Sequence, residues 1–256
     1  MILPTVVRAD VFEYAKTLAD ASIPLIIADP PYVDILPEKW DRGASQYDKL
    51  AALIERLLVP GGTAYVWGGI GKPCNRVFFD WLSRVERETA LHIHTLITWS
   101  KKRAYGTAHN FLFTREECAM LVKGDRPRTF NIPLLDVKRG YAGYSEKYPA
   151  KSEYLRRTNV WTDVTEIFKG KIHPAEKPAR LAEIMIETSS RSGELVLDPM
   201  AGSGSTGVAA VRLERPCLLI EQSDCVMHDF AAVEPRSSTE ATSDPQPQPE
   251  EVDPLS

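Results

Sequence analysis

Cysteine is scarce in this chain of 256 residues: the four that occur, Cys74, Cys118, Cys217 and Cys225, form no Cys-x-x-Cys pair, and His92 and His94 lie near none of them in sequence. That spacing argues against a metal centre, and leaves the two histidines as alternate residues on one face of the strand-like LHIHTLITW. Long hydrophobic runs are also missing. No apolar stretch approaches the roughly 18 residues that span a bilayer, and no basic segment followed by an apolar one opens the chain, so neither a membrane helix nor a signal peptide is expected and the protein is placed in the cytoplasm. No internal repeat is evident. What is present is an apolar fraction of 43%, enough at this length for one sizeable core.

Chemistry enters with Asp29-Pro30-Pro31-Tyr32, which follows the apolar run Leu25 to Ala28. A strand that ends in two prolines must leave its sheet, because neither proline has an N–H to donate and both fix φ. The Pro30 carbonyl is then free to accept a hydrogen bond. With the Asp29 carboxylate as a second acceptor, both hydrogens of an exocyclic amino group can be held while the Tyr32 ring stacks on the base that carries it, an arrangement suited to a flipped-out aminated base.

A second motif comes about 165 residues later, in LVLDPMAGSGSTG. Leu195 to Asp198 reads as a strand, the small residues after it as a turn, and Val208 to Leu213 as part of a helix. Gly202, Ser203, Gly204 and Gly207 allow close approach of backbone to a ligand, and free N–H groups at a helix start favour a carboxylate. Glu221 closes the next strand, Cys217 to Ile220, the place where an acidic side chain holds the two hydroxyls of a ribose.

On these residues the chain resembles the amino-methyltransferases of DNA, which move a methyl group from S-adenosylmethionine to adenine N6 or cytosine N4. Asp-Pro-Pro-Tyr precedes Asp-Pro-x-x-Gly-Ser-Gly, with His173-Pro174-Ala175-Glu176-Lys177-Pro178 just upstream of the latter, and this order is similar to the circularly permuted class called beta. The resemblance covers residues 5 to 230. It implies that Asp29, Pro30, Pro31 and Tyr32 are catalytic. It also implies that Asp198, Pro199, Ala201, Gly202, Ser203 and Gly204 surround the methionine part of S-adenosylmethionine, that Glu221 holds its ribose, and that Asp10 with Val11 meets its adenine. His173 and Lys177 match the His-Pro-x-x-Lys-Pro segment, where Lys177 would pair with the cofactor carboxylate. Two positions depart from the usual pattern, Met200 where an aromatic residue is common and Ser205 where threonine is; neither removes a group that transfer needs.

The formal charge of −4 looks wrong for an enzyme acting on nucleic acid until the C-terminal end is separated. Residues 231–256 carry six acidic groups against one arginine, and residues 100–171 carry 15 Lys and Arg against 8 Asp and Glu. Phosphate contacts are therefore expected in the middle of the chain, at Lys101, Lys102, Arg103, Tyr105, Arg115, Lys138 and Arg139, and in the stretch from Pro127 to Arg157, which lacks clear periodicity. The segment from Glu234 onward is rich in Ser, Thr, Pro and acidic residues and is expected to be disordered. The expected organisation is a catalytic domain over residues 1–230, with a basic insert at 100–171, and a tail at 231–256.

Alternating elements give an α/β pattern. Strands are expected at Thr5 to Ala9, into Asp29, and at Thr63 to Trp67, Leu91 to Trp99 and Cys118 to Val122. Helices are expected at Val11 to Leu18, Tyr47 to Leu58 (stopped by Pro60-Gly61-Gly62), Asn75 to Glu86 and Pro178 to Ser189. The resemblance implies a three-layer, Rossmann-like, mostly parallel sheet of seven strands with one antiparallel strand near its edge. Asp29 points to adenine N6, since the N4 enzymes of the family more often carry serine there. Cytosine N4 transfer, adenine N6 transfer on RNA, and a non-catalytic DNA-binding subunit are the alternatives. DNA is the expected partner, with a homodimer and a cognate restriction endonuclease as further ones.

Overall fold

The computed structural model describes residues 2–32, 46–69, 74–106, 108–109, 111–140, 143–145, 148–149 and 152–236. Its strands are β1 (Thr5–Arg8), β2 (Ile23–Ala28), β3 (Leu58–Gly68), β4 (Leu91–Tyr105), β5 (Phe113–Lys123), β6 (Leu134–Lys138), β7 (Gly143–Ser145), β8 (Tyr148–Pro149), β9 (Tyr154–Arg156), β10 (Val160–Trp161), β11 (Val196–Asp198) and β12 (Cys217–Glu221). Its α-helices are α1 (Val11–Tyr14), α2 (Tyr47–Leu57), α3 (Cys74–Glu88), α4 (Ala179–Ser189) and α5 (Ser205–Arg212).

Apolar periodicity explains the layers. In β2 the side chains alternate, Ile26 and Ala28 joining one core cluster and Leu25 and Ile27 the other, so the strand is covered on both faces. On one side lie α2, whose Tyr47, Leu50, Ala51, Leu53, Ile54 and Leu57 recur at helical spacing, and α3 with Phe78, Trp81, Leu82 and Val85. On the other lie α4 with Leu181, Ile184 and Met185, and α5 with Ala209 and Ala210. Among the described residues no helix is long and apolar enough to cross a membrane.

The main sheet has eight strands in the order β1-β12-β11-β2-β3-β5-β4-β10. All neighbours are parallel except β5, which runs against both β3 and β4. The eighth strand is β10, two residues long, pairing Val160 with Thr98 and Trp161 with Trp99; a strand so short gives no periodic signal in sequence. The antiparallel strand thus lies two places in from that edge. Strand order reverses between the parallel neighbours β11 and β2: β11 passes through α5 to β12 on one side, while β2 passes through α2 to β3 on the other. Loops leaving the carboxyl ends of β11 and β2 diverge, and a crevice opens between them.

Several expectations shift. The helix expected to reach Leu18 ends at Tyr14 and tightens into a 3₁₀ turn, Ala15–Thr17. Pro60-Gly61-Gly62 does not stop the chain before a strand but lies inside β3, where Gly61 takes φ +72° and the register against β2 shifts. The stretch from Pro127 to Arg157 contains two short antiparallel pairs, β6 with β9 and β7 with β8. At the C-terminal end, residues 230–236 pack on the domain: Phe230 begins a 3₁₀ turn, and Arg236 donates its backbone N–H to the Arg212 carbonyl and pairs with Glu187 at 2.5 Å. Residues 231–236 of the expected tail are therefore packed on the domain, and the remainder of it, 237–256, lies outside the described residues.

Candidate active site

The carboxyl edge of the parallel strands opens into a cleft of about 700 Å³. Four expected groups meet there: the β2 end (Asp29 to Tyr32), the β11 turn (Asp198 to Ser203), Glu221 at the end of β12, and Asp10 with Val11 after β1. Pairing of β1 with β12 sets Arg8 opposite Glu221, which brings Asp10 beside it. His173 and Lys177 line the same cleft. Residues separated by some 170 positions in the chain become neighbours because β11 and β2 are hydrogen-bonded side by side.

At the β11 turn, Gly202 and Gly204 take φ +51° and +84°, and Gly204 is the residue before α5. A Cβ at Gly204 would lie 2.7 Å from the Phe230 ring, so the turn is closed against the segment after β12. Glu221 fastens the turn from the next strand. One oxygen accepts the Gly202 N–H at 2.8 Å, and the other accepts the Ser223 N–H and hydroxyl at 2.8 and 2.6 Å. Asp198 is buried, accepts the Met200 N–H at 3.0 Å, and is pushed up to about 7 by burial, with hydrogen bonds from Thr206 and Met200 opposing and the charges of Asp29 and Glu221 adding. Asp10 caps α1, accepting the N–H groups of Phe12 and Glu13 at 2.8 and 3.2 Å.

The His173–Pro178 segment is pinned beneath this turn. Glu176 accepts the Ile172 N–H at 2.8 Å and meets His228 Nε2 at 2.8 Å, and the His228 N–H donates to the Ser203 carbonyl at 3.0 Å. Glu176, His228 and Phe230 therefore bind three segments together around the glycine turn. None of them carries a motif signature in the sequence.

At the β2 end the ionisable groups form one network. Lys177 Nζ donates to Asp29 Oδ2 at 2.5 Å and to the Tyr32 hydroxyl at 2.9 Å, and lies 3.2 Å from Glu116 Oε2. Its ammonium also sits 5.1 Å from the Trp67 ring centre and 5.2 Å from that of Tyr32. Burial raises Asp29, Lys177 opposing and Glu116 adding; burial works against the charge on Lys177, but Asp29 and Glu116 outweigh it and raise the ammonium. The Tyr32 phenol is pushed well up by burial and the adjacent carboxylates and stays neutral. Lys177, expected at a cofactor carboxylate, is thus turned toward Asp29: its three N–H directions face Asp29, Tyr32 and Glu116.

Glu116, on β5, escaped the sequence reading. Its signal was present: it shares strand parity with Cys118, Met120 and Val122, which face a core cluster. A carboxylate continuing a buried stripe needs partners.

The expected phosphate contacts separate into three groups. Lys101 is drawn inward: its ammonium lies 2.5 Å from Glu116 Oε1 with the side chain 20% exposed, so it is a cleft residue and not a surface cation. Arg103 and Arg115 are exposed at the cleft, Arg103 stacked 4.7 Å over Phe168 and Arg115 pairing with Glu117 at 3.3 Å, while Lys102 is exposed on β4 and does not line the cleft. Lys138 is exposed on β6, while Arg139 is half-buried and donates to the Tyr154 carbonyl at 3.5 Å. The side chain of Tyr105 lies outside the described residues. The strand histidines are occupied locally, His92 near Glu86 at 3.2 Å and His94 against the Phe130 ring.

Known proteins match this chain in sequence and in fold. The Type II methyltransferase M.BamHI of Bacillus amyloliquefaciens is 25% identical over 240 residues, a match that takes in 85% of this chain. This chain spans about half of that relative, 54% of its length. Among solved structures, a PvuII DNA methyltransferase (cytosine-N4-specific) superposes with a TM-score of 0.65 at 18% identity, over 86% of this chain and 82% of the other. M1.HpyAVI, solved as a complex with SAM, superposes with a TM-score of 0.58 at 23% identity, over 87% of this chain and 95% of the other. Residues 23–231, from the first residue of β2 to the 3₁₀ turn after β12, match the N6/N4 DNA methylase model, and the chain belongs to that DNA methylase family.

Proposed function

We propose that this protein transfers a methyl group from S-adenosylmethionine to the exocyclic amino group of adenine N6 in DNA. The observation that carries the reading is the meeting of Asp29–Tyr32 with the Asp198–Ser203 turn and Glu221 in one cleft, across the point where the sheet reverses its order.

The cleft fits the cofactor on its own chemistry. The left-handed Gly202 leaves room at the backbone of the turn, Glu221 keeps a lone pair on the oxygen that takes the Gly202 N–H for a ribose hydroxyl, and Asp198 offers a buried carboxylate beside the place where a cation would bind. Gly202, Asp198, Glu221 and Asp10 would hold the cofactor, with Gly204 shaping the turn against Phe230 outside the cleft lining, and the cofactor when bound supplies an electrophilic methyl on a positive sulfur. The other residues act on the base. Asp29 and the Pro30 carbonyl accept the two amino hydrogens and aim the nitrogen, whose lone pair is otherwise drawn into the ring. Tyr32 provides the stacking face. Lys177 is assigned to Asp29, keeping a carboxylate ionised in a buried place. Positioning and electrostatics supply the acceleration, and no covalent enzyme intermediate is needed.

DNA is the partner this reading requires, held by phosphate contacts at Arg103 and Arg115 in the cleft wall and at the exposed Lys102 on β4 and Lys138 on β6. A second copy of the chain would extend the contact with DNA, and gel filtration with and without DNA tests it. The function is tested by incubating the protein with labelled S-adenosylmethionine and unmethylated genomic DNA, then digesting the DNA and identifying the labelled nucleoside. N6-methyladenine is expected. Label on N4-methylcytosine would keep the mechanism and reverse the base, and absence of label from DNA would overturn the reading.

A further inference from the structure

Glu116 meets the reacting end of β2 although no motif singles it out. Its Oε2 lies 3.2 Å from the Tyr32 hydroxyl and 3.2 Å from Lys177 Nζ, and its Oε1 takes the Lys101 ammonium at 2.5 Å. Tyr32 has one hydroxyl hydrogen and two acceptors within reach, Asp29 Oδ1 at 3.0 Å and Glu116 Oε2. If the hydrogen goes to Asp29, that oxygen is committed. If it goes to Glu116, Asp29 Oδ1 is open. Lys177 divides between the same two carboxylates, so the network has two arrangements that differ in how much of Asp29 faces the cleft.

Resting on the reading that Asp29 accepts an amino hydrogen of a base, we propose that Glu116 is a positioning residue: the second carboxylate that takes the Tyr32 hydrogen and shares the Lys177 ammonium, so that Asp29 turns an open oxygen to the substrate. Glu116 suits this part because it stays charged. Burial opposes its ionisation, yet Lys177 and Lys101 hold it down to about 2. Two carboxylates against two ammonium groups balance the network, which is what a buried cluster requires. The groups facing Asp29 are Lys177 from the segment before α4, Glu116 from β5, Tyr32 from its own loop, Asp198 from β11 and the neutral thiol of Cys118.

Two substitutions in the full chain should move Asp29 in opposite directions. In Glu116→Gln, Asp29 keeps the whole of Lys177 and loses a negative neighbour, so its titration moves to lower pH. In Lys101→Met, Glu116 loses its private ammonium and draws harder on Lys177, so Asp29 moves to higher pH. The readout is the carboxyl ¹³C shift of Asp29 in aspartate-labelled protein, assigned with Asp29→Asn, in samples whose melting matches the unsubstituted protein. In the methylation assay with genomic DNA, Glu116→Gln should lower kcat on the order of 10- to 100-fold with S-adenosylmethionine affinity unchanged. Its acid limb should move down with Asp29, which a side chain that merely fills space would not do.

Unshifted Asp29 titrations, shifts of the same sign in both variants, or an unchanged kcat in Glu116→Gln would overturn the proposal. Unsubstituted protein that methylates DNA while Asp29 is unmoved by either substitution would overturn the part given to Glu116 and leave the methyl-transfer reading intact. Opposite shifts in a protein that methylates no DNA would support Glu116 as the residue that sets Asp29 and overturn the reading of the substrate.

Discussion

Asp198→Asn should make the protein more stable at alkaline pH. The buried carboxyl titrates at about 7 in the folded protein against an ordinary 3.8, because burial disfavours its charge more than the Thr206 and Met200 hydrogen bonds favour it. A carboxyl raised on folding contributes stability that is fully present below its unfolded value and is lost as pH rises through its folded value. Between about pH 5, where only the unfolded form ionises, and about pH 8.5, where both do, Asp198 should remove about 3 kcal/mol from the folding free energy. Asparagine keeps the geometry, its oxygen accepting from Met200 and its amide donating to Thr206, and has no charge to bury. Melting temperatures of the two proteins should therefore diverge by roughly 6–12 °C more at about pH 8.5 than at about pH 5, with Asp198→Asn the more stable. Curves that run parallel across this range would refute the burial argument. The same variant should bind S-adenosylmethionine more weakly, since the destabilising charge is the one a cationic ligand would neutralise; measuring affinity by calorimetry checks it.

Asp29→Ala should abolish methyl transfer while leaving S-adenosylmethionine affinity within about 3-fold, because the glycine turn and Glu221 are untouched; normal turnover would remove Asp29 from the site. Gly204→Ala should destabilise the protein by about 1–3 kcal/mol, read by urea unfolding, because an alanine at φ +84° is strained and its Cβ meets the Phe230 ring at 2.7 Å. Replacing Arg103 and Arg115 together by Ala should weaken binding to mixed-sequence DNA and lower the slope of log affinity against log salt by about 1–2, whereas Lys101→Met should leave that slope unchanged because its ammonium is committed to Glu116.

Much of the core was legible because it obeys local periodicity. The apolar positions of α2 repeat every three to four residues, and its observed limits, Tyr47–Leu57, differ from expectation by one residue. β12 follows the same logic from Cys217. The β11 turn was legible because left-handed backbone selects glycine, and Gly202 and Gly204 both take positive φ. The strand pairs β6–β9 and β7–β8 escaped because pairs this short have no periodicity to read. β3 was read late because Pro60 and Gly61 look like a stop, whereas a register shift against β2 admits them.

The sequence by itself determined which chemical groups are available: a carboxylate before two prolines, a glycine turn before a helix, an acidic residue at the next strand end. Those are local facts, set by φ, by missing N–H groups and by burial alternation. Only the tertiary structure decided which charges meet. Lys177 reads as a cofactor ligand from its segment, and Lys101 as a surface cation from its basic neighbours. β5 runs antiparallel beside β3 and delivers Glu116 between them, 3.2 Å from one ammonium and 2.5 Å from the other. In a buried space a cation goes to the carboxylate that compensates its lost hydration, and that carboxylate is chosen by strand order, which no run of neighbouring residues encodes.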